Sequence, residues 1–180
     1  MVNKRNDGNT SAKNEARTPL AIFRKLDAEF HFDADAAATE LNTLCQSFHS
    51  DKYIKGWFLP VGDRVISCLG NALAEDWYKA TYFCNPPYSN GNILKFVHKA
   101  YLESGKGATV VMLIPYDPST QYFNICFENA SEIRFMQPRV RFNNPDGTPM
   151  KGSPQTESMI VVFRPGEHKE TKLSIWKWKE

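Results

Sequence analysis

The chain has 180 residues, 42% hydrophobic and 23% charged, with a formal net charge of +2. That length suits one domain with tails and a sizeable core. The absence of a long unbroken apolar run argues against a helical membrane span, and the polar N-terminus argues against a secretory signal. The cysteines Cys45, Cys68, Cys84 and Cys126 are scattered, no two closer than sixteen positions, and the four histidines are equally dispersed. This spacing argues against a metal cluster and fits reduced thiols in a cytoplasm.

Residues 1–16 are polar and read as a disordered arm. Thr18-Pro19 reads as a helix start, Thr18 as N-cap and Pro19 at the first helical position, with Ile22, Phe23 and Leu26 on one face beyond. Phe30 to Ala36 alternates large apolar and acidic residues and suits a first strand. Residues 37–50 look helical, with Leu41, Leu44 and Cys45 on one side. The stretch 51–76 is the least legible: Tyr53–Leu59 suits a strand, and Arg64–Leu69 a strand or a short helix. A strand is expected over 80–85, then a turn at Tyr88–Gly91 and a helix over 92–104 carrying Ile93, Val97, Ala100 and Tyr101 and stopping at Gly105.

Ala108–Pro115 is wholly apolar apart from Thr109, as at the centre of a parallel sheet. Asp117-Pro118 opens a further helix with Phe123, Cys126 and Phe127 inward, and strands follow at 132–137 and 158–163, separated by a long turn-rich loop. Alternating strands and helices predict an α/β fold, a mostly parallel sheet with helices on both faces. The last two strands lack an intervening helix and are expected to pair antiparallel. The domain is placed at 17–165, and 166–180 reads as a basic C-terminal tail.

Asn85-Pro86-Pro87-Tyr88, at the end of the apolar run 80–84, carries the strongest chemical signal. The Asn85 side-chain oxygen and a backbone carbonyl of the proline pair can accept both hydrogens of an exocyclic amino group. Two prolines remove donors and stiffen the turn, and Tyr88 offers a flat face for a base. In open α/β sheets a ligand sits beyond the carboxyl ends of the strands where strand order reverses. Asp33 and Asp35 with Ala36-Ala37-Ala38, and Asn85 to Tyr88, are the two elements expected to meet there. Basic residues cluster before Lys25, over Arg134, Arg139, Arg141 and Lys151, and after Arg164; a cluster sharing one face can neutralise phosphates.

The tetrapeptide resembles the (Asp/Asn)-Pro-Pro-(Tyr/Phe) motif of amino methyltransferases. The order of Thr18-Pro19, Phe30–Ala38, Asp76-Trp77 and the tetrapeptide resembles the small DNA N6-adenine methyltransferases (Dam) of phages and prophages. The likeness runs from about Thr18 to Arg164. It implies a Rossmann-like methyltransferase fold with a reversed last strand, S-adenosylmethionine as cofactor, and methylation of adenine N6 in DNA with Asn85, Pro86, Pro87 and Tyr88 as the catalytic group. Cofactor contacts are implied at Thr18, Pro19, Asp35, Ala36, Ala37, Asp76, Trp77 and Asn85, and DNA contacts at Arg139, Arg141 and Lys151. Plain structural roles stay open for several of these: Thr18 and Asp35 as helix caps, Asp76-Trp77 as a surface turn with a buried ring. The turn Asp35–Ala38 lacks the glycine usual in the family.

The resemblance further implies a monomer or weak dimer, no metal and no membrane, in the cytoplasm of a bacterial host, with restriction-modification as a setting. Cytosine N4, RNA adenine or a protein glutamine as acceptor, and a non-catalytic DNA-binding relic, stand as alternative readings.

Overall fold

The structure, a computed structural model, describes residues 16–89, 91–151, 157–166 and 170–179. The expected arm, up to residue 15, lies outside the described residues. Helix α1 (Leu20–Phe30) buries Ile22, Phe23, Leu26 and Phe30. Its cap residue is Pro19, whose carbonyl accepts from the Ile22 and Phe23 N–H groups; the expected Thr18 cap does not form. The helix runs through Phe30 and stops at His31, which takes a left-handed φ of 53°. The expected strand over 30–36 is therefore reduced to β1 (Ala34–Asp35).

No helix forms over 37–50. Thr39, Asn42 and Thr43 bond neighbouring backbone instead, Asn42 Oδ1 accepting from Thr39 N–H at 2.6 Å and Thr43 Oγ1 from Cys45 N–H at 3.3 Å. Such local bonds compete with a helical ladder. The segment ends in β2 (Ser47–Phe48), parallel to β1, and Leu41 is left 70% exposed. Strand β3 (Phe58–Val61) begins later than expected and forms an antiparallel hairpin with β4 (Arg64–Cys68) through Gly62 at φ +59°.

Strand β5 (Thr81–Cys84), helix α2 (Asn92–Gly105), strand β6 (Thr109–Pro115), helix α3 (Gln121–Asn129), strand β7 (Glu132–Gln137) and strand β8 (Ser158–Phe163) follow the expected order. Helix α3 starts at a Thr120 cap, its hydroxyl accepting from Phe123 N–H, rather than at Asp117-Pro118. Its buried residues are Tyr122 and Cys126; Phe127 is half exposed. Tyr101, expected inward on α2, is also exposed, and Phe96, Val97 and Ala100 fill that side.

Among the described residues nine strands form one sheet in the order β3-β4-β2-β1-β5-β6-β8-β7-β9. Strand β8 lies between β6 and β7 and is antiparallel to both, which is the reversed strand expected of a methyltransferase sheet. The last strand, β9 (Lys172–Lys177), falls within the segment read as a tail and pairs parallel with β7. In β6, Val110, Met112 and Ile114 face α2 and α3, while Val111 and Leu113 face α1. Both sides are buried, so helices cover both faces, as the α/β reading requires. Each fully buried aliphatic there contributes about 1.5–3 kcal/mol, which makes β6 and β8 the rigid centre of the molecule.

Candidate active site

Strand order reverses between β1 and β5: from β1 the chain builds outward through β2 to β4, and from β5 the other way through β6. Their carboxyl ends open on a cavity of about 420 Å³, inside the usual range for ligand sites. Pro86 and Pro87 cannot donate to the ladder, so β5 ends at Cys84 and the following turn is rigid. Pro86 is buried and Asn85 half-buried.

The Asn85 amide is held at both ends. Its Nδ2 donates to Thr18 Oγ1 at 3.1 Å, and its Oδ1 accepts from the Tyr88 hydroxyl at 3.1 Å. The Tyr88 ring meets Phe142 edge to face, centroids 6.0 Å apart. Phe142 belongs to a short hairpin that forms the roof of the cavity. Met150 N–H bonds Phe142 C=O at 2.9 Å, and Asn143 exchanges two backbone hydrogen bonds with Arg17 at 2.8 and 3.0 Å. Phe142, Asn143 and Gly147 line the cavity, yet the sequence marked only the basic residues of this segment. An aromatic just after Arg141 was the available signal.

On the opposite wall, Asp35 ends β1 and Ala36, Ala37 and Ala38 follow. Asp35 is 5% exposed; its Oδ1 accepts from Ala37 N–H at 3.1 Å, and burial pushes its pKa up to about 7. His31 is the sole non-glycine residue with positive φ among the described residues, so this turn needs no glycine. Ala36 and Ala38 donate to Phe83 and His49 carbonyls, which fixes the turn against the neighbouring strands. Past β2 come His49, Ser50 and Asp51, all on the cavity wall. His49 Nδ1 lies 3.1 Å from Gly70 C=O, a group that can only accept, so Nδ1 carries the proton. Burial pushes this imidazole down to about 4 and keeps it neutral. Asp51 is an exposed acid just beyond the second strand, and the expected 37–50 helix hid both β2 and this residue.

Asp76 and Trp77 are not brought to this cavity. Asp76 points outward, its side chain 83% exposed and paired with Lys106 Nζ at 2.6 Å. Trp77 is buried, its N–H on Glu103 Oε2 at 3.1 Å, its Nε1–H on Ala72 C=O at 2.9 Å, and its ring over His49. Asn71, Ala72 and Leu73, just upstream, line the cavity instead. Thr18 lines it; Pro19 caps α1 and does not.

Of the 134–151 bases, Arg134 is unavailable to DNA. It is 9% exposed and holds Glu29 through Nη1 and Nη2 at 2.7 and 2.6 Å and Glu132 through Nε at 2.9 Å. Arg139, Arg141 and Lys151 are exposed on the segment that carries the roof, Arg139 paired with Glu157 at 3.0 Å. Among the described residues no group of three or more His, Cys, Asp or Glu is placed to hold a metal ion, and no helix is long and apolar enough to cross a membrane.

Residues 61–180 match the family described as DNA N-6-adenine-methyltransferase (Dam). A DNA N-6-adenine-methyltransferase of Haemophilus phage HP1 (strain HP1c1) is 34% identical over 174 residues, covering 91% of this chain and 88% of the relative. One of Escherichia phage T1 is 31% identical over 122 residues, covering 67% of this chain and 43% of the relative. The crystal structure of a protein titled a predicted O-methyltransferase, from Agrobacterium tumefaciens, superposes with a TM-score of 0.33 at 15% identity, over 58% of this chain and 43% of that one. The profile match takes in the tetrapeptide and the roof, and the HP1 relative spans nearly the whole chain: the protein belongs to the DNA N-6-adenine-methyltransferase family.

Proposed function

We propose that this protein transfers a methyl group from S-adenosylmethionine to N6 of adenine in DNA. The observation that carries the reading is Asn85-Pro86-Pro87-Tyr88 at the mouth of the switch-point cavity, beside the Phe142 roof. The cavity's donor set suits that cofactor. Asp35 offers a buried carboxylate for its ammonium, Asp51 an exposed one for its ribose hydroxyls, and the neutral His49 Nε2 an acceptor with no partner of its own. Bound S-adenosylmethionine supplies a methyl group on a positively charged sulfur that departs as a neutral thioether.

The chain's own groups then have three tasks. Asn85 Oδ1 has two lone pairs, one taken by the Tyr88 hydroxyl and one free for an N6 hydrogen. With the Pro86 carbonyl accepting the other hydrogen, the amino nitrogen becomes pyramidal and the positive charge developing on it is stabilised. Tyr88 and Phe142 bound the space where a base must lie, and an adenine stacked in a duplex reaches it only by flipping out. After transfer one of the two N6 protons leaves to solvent from the now positively charged nitrogen and the product keeps the other, so no strong base is required of these residues. Alignment of nitrogen, methyl carbon and sulfur supplies much of the rate. Exposed Arg139, Arg141 and Lys151 flank the roof and are the proposed phosphate contacts. Phage relatives support a bacterial host as the setting, where the cytoplasm is the compartment that holds the DNA substrate.

The test is transfer of labelled methyl from S-adenosylmethionine to unmethylated DNA, followed by hydrolysis to nucleosides. Label in N6-methyladenine is expected. Label in N4-methylcytosine, or in RNA or protein alone, moves the acceptor; cofactor binding with no transfer to any of them leaves a non-catalytic relic.

A further inference from the structure

We propose that Thr18 is a positioning residue for the reaction: its hydroxyl bonds the Asn85 carboxamide and holds the amide in place, with its oxygen toward the target amino group. This rests on the methyl-transfer reading above. The Thr18 hydroxyl is free to do so because Pro19 caps α1 and no side chain caps that helix. It accepts from Asn85 Nδ2 at 3.1 Å across 67 positions of sequence. The backbone around Thr18 is held independently of that bond. Arg17 exchanges two hydrogen bonds with Asn143, and Pro19 has its φ fixed by its ring. The hydroxyl therefore sits where the fold puts it, and the amide adjusts to the hydroxyl.

The consequence follows from the two faces of an amide. An exocyclic amino group presents hydrogens and needs an acceptor; a rotated Asn85 presents its own NH2 and repels it. Without the Thr18 acceptor, Nδ2 gains by turning to the Tyr88 oxygen, since the Tyr88 hydroxyl has a second acceptor, Leu113 C=O at 3.5 Å. That rotation places a donor where the reaction needs a lone pair. The hydroxyl of Thr18 thus restrains the amide in its productive orientation without touching the reacting atoms.

Thr18→Val keeps shape and branching and removes the acceptor; Thr18→Ser keeps the acceptor. In single-turnover methyl transfer, Thr18→Val is expected to lose about 10- to 100-fold in rate, as for a misoriented catalytic group. S-adenosylmethionine affinity by calorimetry stays within about threefold, and Thr18→Ser restores most of the rate. In an Asn85→Ala background, Thr18→Val should add no further loss. A fractional loss of the same size in that background, or a loss confined to cofactor affinity, overturns the proposal and makes Thr18 a cofactor contact. The clamp is also read without turnover, from the Asn85 side-chain NH2 signals in NMR of the unliganded protein. They should shift and exchange faster in Thr18→Val and return in Thr18→Ser; unchanged signals overturn it. If wild-type protein methylates no DNA, the function reading fails while the NMR result still decides the clamp.

Discussion

Asn85 is where sequence and geometry meet most directly, because on the proposed reading its amide stabilises charge that exists only during transfer. Asn85→Ala is expected to lower methyl transfer by about 100- to 1,000-fold, the range for losing one charge-stabilising partner, with cofactor affinity within a few-fold. Tyr88→Phe removes one of the two bonds to Asn85 and should be mild, whereas Tyr88→Ala removes the ring opposite Phe142 and should be severe. Parallel measurement of transfer rate and cofactor affinity separates these outcomes; full turnover in Asn85→Ala would remove it from catalysis.

Asp35 gives a pH dependence with a definite sign. Its folded pKa of about 7 stands above the ordinary 3.8, so the folded chain holds a proton that the unfolded chain has released. Stability from this group is therefore lost as pH rises between those values. A bound ammonium favours the ionised form and reverses the preference in the complex. S-adenosylmethionine should accordingly bind more tightly as pH rises from about 5 to 7, with proton release on binding. Asp35→Asn should flatten that slope in calorimetry across buffers of different ionisation enthalpy. A slope that survives the substitution assigns the ammonium to another group and leaves Asp35 only its bond to Ala37.

At the scale of elements, the same chemistry depends on how helices and loops are tied together. Glu103 near the end of α2 is 1% exposed and receives Lys99 at 2.7 Å, Lys106 at 3.0 Å and the Trp77 N–H. It anchors the Asn71–Trp77 stretch whose first residues line the cavity. Glu103→Ala strands an unpaired N–H and a largely buried lysine charge, and is expected to cost about 3 kcal/mol in chemical denaturation. Asp76→Ala, at the outward end of the same Lys106, should leave both melting temperature and cofactor affinity unchanged.

Elements were legible where the pattern was strong. The run Thr109–Pro115, the helix expected over 92–104 and the paired strands 132–137 and 158–163 stand where the pattern put them, although Tyr101 turned outward; β6 and β8 are buried on both faces, which leaves them no competing conformation. The 37–50 helix failed because helical spacing of Leu41, Leu44 and Cys45 was outweighed by side-chain-to-backbone bonds at Thr39, Asn42 and Thr43. A two-residue strand such as β2 carries too short a pattern to be read at all. Asp51 and His49 were lost to the site for that reason.

For the molecule as a whole, DNA engagement is the property most exposed to salt. Arg139 and Arg141 flank the roof hairpin on a segment anchored by Val140, 1% exposed, and by Trp178, whose Nε1–H bonds Pro138 C=O. Neutralising both arginines should reduce the slope of log affinity against log salt by about 2 and weaken DNA binding, leaving cofactor affinity intact. An unchanged slope would move the phosphate contacts to other bases, Arg17 at the cavity wall first among them.

The sequence by itself determined the strand–helix alternation, the buried centre at β6 and β8, and the tetrapeptide at a strand end. Each of these rests on local periodicity or on proline's missing donor, and neither depends on distant residues. Tertiary structure decided the rest. Thr18 meets Asn85 across 67 positions, the 142–150 hairpin bonds back to Arg17, Asp76 turns outward to Lys106, and Arg134 is locked against Glu29. Residues 172–177 read as part of a basic C-terminal tail on their charge, and they became β9 because β7 offered an open edge. Each of these outcomes pairs groups far apart in the chain. Their geometry is set by where the sheet carries them, and residue type alone does not specify it.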